Sequence, residues 1–170
     1  MSDSESSLVI GVDPGLQTSG VVLAKINFRG EVEIMSWEEI KTKGAWLLSR
    51  RIAYIYARIK KIMIKTHPEI MAIEKIYSHY RHPYTASLLA HARGVIILAA
   101  EEVGVKIVEF SNTHIKKAVL GRGNSSAVQL RKMAAYLAGR DIPFSSQHLT
   151  DALALVLAFA HTKKVGLKYL

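Results

Sequence analysis

The sequence predicts an α/β fold in which helices flank a mixed five-stranded sheet. Three β-rich segments open the chain, two further short strands alternate with amphipathic helices, and three helices close it. Parallel strands need crossover connections whose helices cover the faces of the sheet, so the order βββ-α-β-α-β-ααα indicates a mixed sheet. A length of 170 residues with 49% hydrophobic residues suits a single globular domain.

The opening segments are expected to form three antiparallel strands. Residues 8–12 are a β-branched run that ends at Asp13-Pro14-Gly15, which predicts a buried strand leading into a turn. Residues 20–27 and 31–40 flank Arg29-Gly30 and therefore predict a hairpin on the same sheet.

The later elements alternate between helix and strand. Apolar residues at three- and four-residue steps predict one helix over 47–63, before His67-Pro68, and a second over 88–103, stopped at Gly104. Short apolar strands are expected at 71–75 and 106–110. The closing helices are expected near 114–120, 128–138 and 147–161.

The composition indicates which class of partner the protein binds and where in the cell it is expected. The 23 Lys and Arg residues exceed the 14 Asp and Glu residues, and the net charge of +9 exceeds the magnitude of about 2–8 that keeps a small domain soluble, so a nucleic-acid partner is expected. No apolar run approaches the ~18 residues of a membrane span, the first residues do not form a targeting signal, and there is no cysteine. We expect a cytoplasmic protein with no membrane partner. Its single domain would cover residues 8–162, between a disordered tail at 1–7 and a basic tail at 163–170.

Two acidic residues lie on predicted strands. Asp13 follows the first strand directly, where it would either cap its own turn or present a carboxylate at the sheet edge. Glu74 lies inside a predicted core strand, where an ionised carboxylate costs several kcal/mol unless it is paired or bound to a cation. Lys75 is a poor partner because neighbouring strand residues point to opposite faces. Glu74 is therefore predicted to be functional.

His148 and Asp151 add two more candidate ligands. They open the last predicted helix and share a face, although capping of that helix would also explain them. Carboxylates with one imidazole suit Mg²⁺ or Mn²⁺, and two such ions about 3.5–4 Å apart hydrolyse phosphodiesters. Asp13 is the expected bridging ligand, with Glu74 on one ion and Asp151 on the other.

Two segments are candidate DNA contacts. The segment 77–84 would form a stacking and phosphate-binding loop with Tyr77, Tyr80 and Arg81, unless its tyrosines cover the core. A basic cluster surrounds the Gly-x-Gly at 121–123 and would bind phosphate, unless it is a solvated face. Its members are Lys116, Lys117, Arg122, Arg131 and Lys132.

From Ile10 to about His161 the chain resembles the RuvC family of Holliday junction resolvases. The matching residues are Ile10-Gly11-Val12-Asp13-Pro14-Gly15 with Gly20, Ala72-Ile73-Glu74, Ala92-Arg93-Gly94, Lys116 ahead of Gly121-Arg122-Gly123, Gln129, and Asp151-Ala152-Leu153-Ala154. Each motif alone is weak, since Gly-x-Asp-x-Gly also opens actin-like ATPase lobes. Their order and spacing make the set strong.

The resemblance implies an RNase H-like fold of order βββαβαβα and a homodimer formed through the helix at 85–103. It also implies paired nicking of four-way DNA junctions in recombination and repair with two Mg²⁺ ions per site, for which Mn²⁺ can substitute, and a branch-migration motor as a possible partner. The implied ligands are Asp13, Glu74, His148 and Asp151, and Tyr77 would hold unstacked bases.

Two positions differ from the usual family pattern. Some family members carry Asp where His148 stands, and a neutral ligand there lowers the negative charge of the site. Ala127 stands where the family usually has Lys, so stabilisation of the transition-state charge would pass to Lys116 or Arg131.

Three alternatives remain open at the level of sequence. The same fold could cut forks, flaps or RNA–DNA hybrids, or it could be a weakly active or non-catalytic junction-binding module, which only Ala127 favours. An actin-like ATPase or sugar kinase would need a second copy of the lobe that carries the Asp13 turn, and 170 residues hold one copy.

Overall fold

A mixed five-stranded sheet forms the centre of the molecule, as predicted. The computed structural model describes residues 6–76, 83–121, 123–124, 126–137 and 146–164. The elements are β1 (Ser7–Asp13), β2 (Thr18–Ile26), β3 (Val32–Lys41), α1 (Leu48–Thr66), β4 (Ile70–Glu74), α2 (Pro83–Val103), β5 (Lys106–Phe110), α3 (Asn112–Leu120), α4 (Ala127–Leu137) and α5 (Gln147–Lys164).

The strand order β3-β2-β1-β4-β5 places the first strand in the middle of the sheet. β2 is antiparallel to both β1 and β3, whereas β1, β4 and β5 are mutually parallel. The carboxyl ends of β1, β4 and β5 therefore meet at one edge, and the end of β3 lies at this edge too. We call it the C-terminal edge.

Helices cover both faces of the sheet. One core lies under α1 and α2 and contains Ile10 and Val12 of β1, whereas the other lies under α3, α4 and α5 and contains Val9. Alternate residues of β1 thus enter opposite cores, which explains why this strand is an unbroken apolar run rather than an alternating one.

The predicted element boundaries shift by a few residues. The strand expected at 71–75 ends at Glu74, so this carboxylate occupies the end of a strand rather than its interior. Ser7 was assigned to the N-terminal tail, but it is the first residue of β1 and pairs with Ile26 of β2. Strand pairing uses the backbone and therefore tolerates a polar side chain.

The last helix extends three residues beyond its expected end. Lys163 and Lys164 were assigned to a basic tail, but they belong to the last turn of α5, where cations are favoured by the helix dipole. Lys163 Nζ donates a hydrogen bond of 2.7 Å to Ser7 Oγ and so joins this turn to the start of β1. Among the described residues, no helix has the length and apolar character needed to cross a bilayer.

Candidate active site

Two neighbouring parallel strands carry Asp13 and Glu74 to the C-terminal edge. Val12 of β1 lies opposite Ile73 of β4, and the two acidic residues follow directly as the last residues of these strands. Both are half-buried. The turn after Asp13 is held by Ser19, whose Oγ accepts from Gly15 N at 3.1 Å and donates to Gly15 O at 2.8 Å. Ser19 thus supports this turn through its side chain.

Helix α5 brings the other two predicted ligands to the same edge. It approaches the sheet so closely that a Cβ on Gly20 would lie 2.1 Å from His148 O, and one on Gly11 would lie 2.3 Å from Ala152 O. Only glycine permits this approach. The start of α5, with His148 in its first turn and Asp151 just after it, is therefore fixed against β1 and β2.

Ser146 supplies the cap of this helix. Its Oγ accepts a hydrogen bond of 3.2 Å from Leu149 N, and the same hydroxyl donates to Glu39 on β3. Serine is a preferred N-cap residue. The capping role that was an alternative explanation for His148 and Asp151 thus belongs to Ser146.

A cavity of about 190 Å³ opens between these elements. Its polar lining residues are Asp13, Glu74, Asp151, Asn112 and Lys116. Its apolar lining residues are Ile115, Leu130, Ala154 and Leu155. The structure therefore brings three predicted carboxylates to one cavity, together with the predicted Lys116 of α3.

Asn112 is a site residue that sequence reasoning did not identify. Its Nδ2 donates to Glu74 Oε1 at 2.9 Å. Asn112 is the first residue of α3, one residue after the end of β5, and β5 lies beside β4, so its position depends on strand order. The only sequence signal would have been a polar residue two positions after a predicted strand. Fixing Glu74 Oε1 limits the rotation of this carboxylate.

The alternative partner of Glu74 is not observed. Lys75 is exposed, and no ion pair among the described residues joins it to Glu74. Arg93 of α2 instead reaches the backbone, donating from Nε to Glu74 O at 3.3 Å while it pairs with Glu109. Arg93 thus supports the end of β4 without neutralising the carboxylate.

The electrostatics of the cavity favour a cation. Burial raises the pKa of Glu74 above its usual range, and the charges of Asp13 and Asp151 raise it further. The hydrogen bond from Asn112 and the charge of Lys116 act in the opposite direction but do not reverse the shift. A carboxylate with a raised pKa is held in its charged form at a cost, which a bound cation would remove.

His148 contacts Asp13 rather than the cavity. Its Nδ1 lies 2.8 Å from Asp13 Oδ2, and it is not among the described residues that line the cavity. This hydrogen bond raises the pKa of His148, assisted by the charges of Asp13, Asp151 and Glu39 and opposed by burial. In this arrangement His148 orients Asp13 and offsets part of its charge.

The donor set has the chemistry of a hard divalent cation site, with three carboxylates and one adjacent imidazole. Among the described residues, no three His, Asp or Glu side chains converge closely enough to hold an ion at their present positions. Ion binding would therefore need the carboxylates to turn toward the centre of the cavity. The hydrogen bonds from Asn112 and His148 are the contacts that such a turn would rearrange.

Substituting Glu74 with glutamine is expected to stabilise the metal-free protein at pH 7.5. Because the pKa of Glu74 is raised on folding, the folded state binds more protons than the unfolded state above pH 4.5, and stability falls as pH rises through that window. Glu74→Gln removes this loss of folding stability. Each kcal/mol gained in the free energy of unfolding raises the Tm by about 2–4 °C.

Thermal unfolding in EDTA at pH 7.5 and pH 4 measures this effect. At pH 7.5 the Tm of Glu74→Gln should be higher than that of the wild type. At pH 4 the two Tm values should lie closer together, because the carboxyl group of Glu74 in the folded wild type is then largely neutral as well. An equal difference at both pH values would contradict the charge argument.

The predicted DNA-binding residues are only partly described. Lys116 is half-buried at the cavity and Lys117 is exposed on α3. Tyr77, Tyr80, Arg81 and Arg122 lie outside the described residues, as does the side chain of Arg131. Lys132 is exposed on α4.

The chain is similar to known proteins over nearly its whole length. Residues 9–161 match the family model described as crossover junction endodeoxyribonuclease RuvC. A crossover junction endodeoxyribonuclease RuvC of Moorella thermoacetica is 31% identical over 90% of this chain and 90% of its own length.

Solved structures agree with this match. The structure described as T. thermophilus RuvC in complex with Holliday junction substrate is 27% identical, with a TM-score of 0.86 over 96% of this chain and 99% of its own. The yeast mitochondrial Holliday junction resolvase Ydc2 is 13% identical, with a TM-score of 0.65 over 92% and 79%, and it supports the fold alone. The RNase H-like fold expected from the sequence is thereby confirmed, and the chain belongs to the RuvC family of crossover junction endodeoxyribonucleases.

Proposed function

We propose that this chain is a structure-selective DNA endonuclease that resolves four-way junctions by paired symmetric nicks, in DNA recombination and repair. The observation that carries the proposal is the cavity at the C-terminal edge, where Asp13, Glu74 and Asp151 surround a space of about 190 Å³. A relative with the same fold over nearly its whole length is described with a Holliday junction as its substrate.

The proposed cofactor is a pair of Mg²⁺ ions, with Mn²⁺ as a substitute. Asp13 would bridge the two ions, Glu74 and Asp151 would each bind one, and His148 would complete the ligand set. Bound at this cavity, the ions would activate the attacking water and stabilise charge on the leaving oxygen. The raised pKa of Glu74 supports this assignment, because burial, together with the charges of Asp13 and Asp151, makes its ionised form costly, and divalent cations would reduce that cost.

The chain's own side chains position the reacting groups. Asn112 holds one oxygen of Glu74, and His148 holds one oxygen of Asp13, so these bonds would orient the two carboxylates before ions bind. Lys116 lines the same cavity, where its ammonium group would stabilise negative charge on the scissile phosphate. This role would replace that of the lysine usually found at the position of Ala127.

Substrate binding would combine the predicted loop and the basic helix. Lys117 is exposed near Lys116 and would contact backbone phosphates, joined by Arg122 and Arg131. Tyr77 would stack on unpaired bases at the junction centre, with Tyr80 and Arg81 beside it.

A homodimer would present two such sites to opposite strands of a junction. Helix α2 is the proposed interface, since it leaves Leu98 and Tyr84 50% and 76% exposed. Symmetric cleavage follows from a two-fold axis, because each site then meets an equivalent strand. The proposed location is the cytoplasm, and a branch-migration motor is a proposed partner.

Cleavage of matched substrates tests the substrate class. A mobile four-way junction, a replication fork, a flap and an RNA–DNA hybrid of related sequence would be incubated with wild-type protein in Mg²⁺ or Mn²⁺. We expect nicks at symmetric positions in the junction at a rate well above that for the other substrates. Equal or faster cutting of the fork, flap or hybrid would reject the junction assignment, and binding without cutting would reject the nuclease.

A further inference from the structure

The positive charge of the chain is concentrated in a segment outside the predicted basic cluster. Residues 40–68 contain eight Lys and Arg residues and no Asp or Glu. They are Lys41, Lys43, Arg50, Arg51, Arg58, Lys60, Lys61 and Lys65. The whole chain has a net charge of +9, so this segment from the end of β3 through α1 carries much of its excess positive charge.

Ion pairs neutralise part of this segment. Lys41 pairs with Glu39, Arg58 with Glu38, and Lys60 with Glu102. The other five cations form no ion pair with any residue in the described ranges. They form two groups, with Lys43, Arg50 and Arg51 around the start of α1 and Lys61 and Lys65 near its end.

The first group lies at the C-terminal edge of the sheet, together with the carboxylate cavity. β3 ends at Lys41, opposite Thr18, and thus runs in the same direction as β1. Thr42 Oγ1 then donates to Leu16 O at 2.6 Å and accepts from Arg51 Nε at 2.9 Å. Arg51 is thereby fixed to the turn that follows Asp13.

Aromatic contacts order the exposed side chains of this group. The Arg50 guanidinium lies 4.8 Å from the centre of the Trp46 ring, and the Tyr54 ring meets Trp46 edge-on at 5.5 Å. The adjacent Leu47 is 77% exposed. Such stacking holds a guanidinium in place while its N–H donors remain available for phosphate.

These cations do not stabilise the helix that carries them. Arg50 and Arg51 stand in the first turn of α1, where positive charge opposes the helix dipole, and this turn has no acidic residue. Their placement therefore has an electrostatic cost, which an external polyanion would offset.

We propose that a surface formed by Lys43, Trp46, Arg50 and Arg51, the Lys43–Arg51 surface, binds the backbone of duplex DNA. The inference rests on the function proposed above. The DNA bound here would be the duplex arm of the junction that leaves the cavity across β2 and β3. β3 lies two strand spacings, about 10 Å, from β1, which corresponds to about three base pairs of duplex. Lys116 lines the cavity itself and Lys117 is its exposed neighbour on α3, so the Lys43–Arg51 surface would extend positive charge away from the cavity.

The salt dependence of junction binding tests this surface with a matched control. The double variant Lys43→Gln with Arg50→Gln removes two charges from the surface, and Lys61→Gln with Lys65→Gln removes two from the same helix at its other end. In EDTA, the slope of log Kd against log salt should fall by about 2 in the first variant and remain near the wild-type value in the second. Equal slopes for the two variants would overturn the proposal.

Tryptophan fluorescence provides a second measurement. The chain has two tryptophans, Trp37 and Trp46, so Trp37→Phe leaves Trp46 as the only indole. Addition of a four-way junction should quench Trp46 emission, whereas unchanged emission at saturating DNA would overturn the proposal. The salt dependence and the fluorescence both measure DNA binding, so they test this surface independently of cleavage. Failure of the wild-type protein to cut the junction would reject the proposed nuclease but not this surface.

Discussion

Substituting Asp13 with asparagine is expected to slow junction cleavage by about 10³-fold, the magnitude typical of losing one electrostatic contact to a transition state. Asparagine preserves the shape of the side chain but removes the charge that would bridge two cations. It also weakens the contact with His148, whose Nδ1 lies 2.8 Å from Asp13 Oδ2. Single-turnover cleavage of a labelled four-way junction in Mg²⁺ measures the loss.

A control for the changed charge is available on β3. Glu33 is exposed at the far end of that strand, and Glu33→Gln also removes one negative charge. This variant should cut at nearly the wild-type rate. An Asp13→Asn protein that retained more than about a tenth of the wild-type rate would contradict the central role of this carboxylate, because the expected loss is about 10³-fold.

Alanine at Gly11 or Gly20 is expected to have the largest effect on stability. The new Cβ would lie 2.3 Å from Ala152 O in the first case and 2.1 Å from His148 O in the second. Both obstacles are backbone atoms of α5, so the helix must move away from the sheet. Overpacking of this kind costs about 1–3 kcal/mol, which lowers the Tm by roughly 2–12 °C at this chain length.

Gly44 provides the matched control for these substitutions. A Cβ on Gly44 would meet nothing within 4 Å, and its φ does not lie in the left-handed region. Gly44→Ala should therefore unfold at or above the wild-type temperature, whereas Gly11→Ala and Gly20→Ala unfold well below it. Displacement of α5 also moves Asp151, so Gly20→Ala should lose cleavage at temperatures where it remains folded. Wild-type Tm and activity in Gly20→Ala would contradict the proposed contact.

Local chemistry explains why the acidic site could be predicted. A buried carboxylate needs a compensating partner or cation wherever it occurs, so Glu74 indicated a functional site from sequence alone. Asp13 was placed correctly because the strand that precedes it was recognised. The grouping of Asp13, Glu74 and Asp151 in one cavity agrees with that reasoning. Their service as metal ligands stays a prediction.

Non-local geometry explains what the sequence did not reveal. Asn112 reaches Glu74 because β5 lies beside β4, and no periodic pattern specifies that neighbour. The sequence contains Gly20 but does not indicate that His148 O occupies the space beside it. Likewise, Ser146 precedes His148 by two residues, yet only its hydrogen bond to Leu149 N identifies it as the cap.

The fold was predictable because its strands and helices have distinct periodicities. The unbroken apolar run of β1 indicated burial on both faces, and this strand lies at the centre of the sheet. The errors were at ends such as Ser7 and Lys164, where backbone pairing and helix geometry continue past the apolar pattern.

Mapping of nicks on a mobile four-way junction, in Mg²⁺ and in EDTA, tests most directly whether the carboxylate cavity is a metal-dependent junction nuclease. Each of the four strands would be end-labelled in turn and the products of wild-type protein resolved at single-nucleotide resolution. The expected result is a pair of nicks at symmetric positions on opposite strands in Mg²⁺ and no nicks in EDTA. Absence of nicks in Mg²⁺, or equal nicking in EDTA, would contradict it.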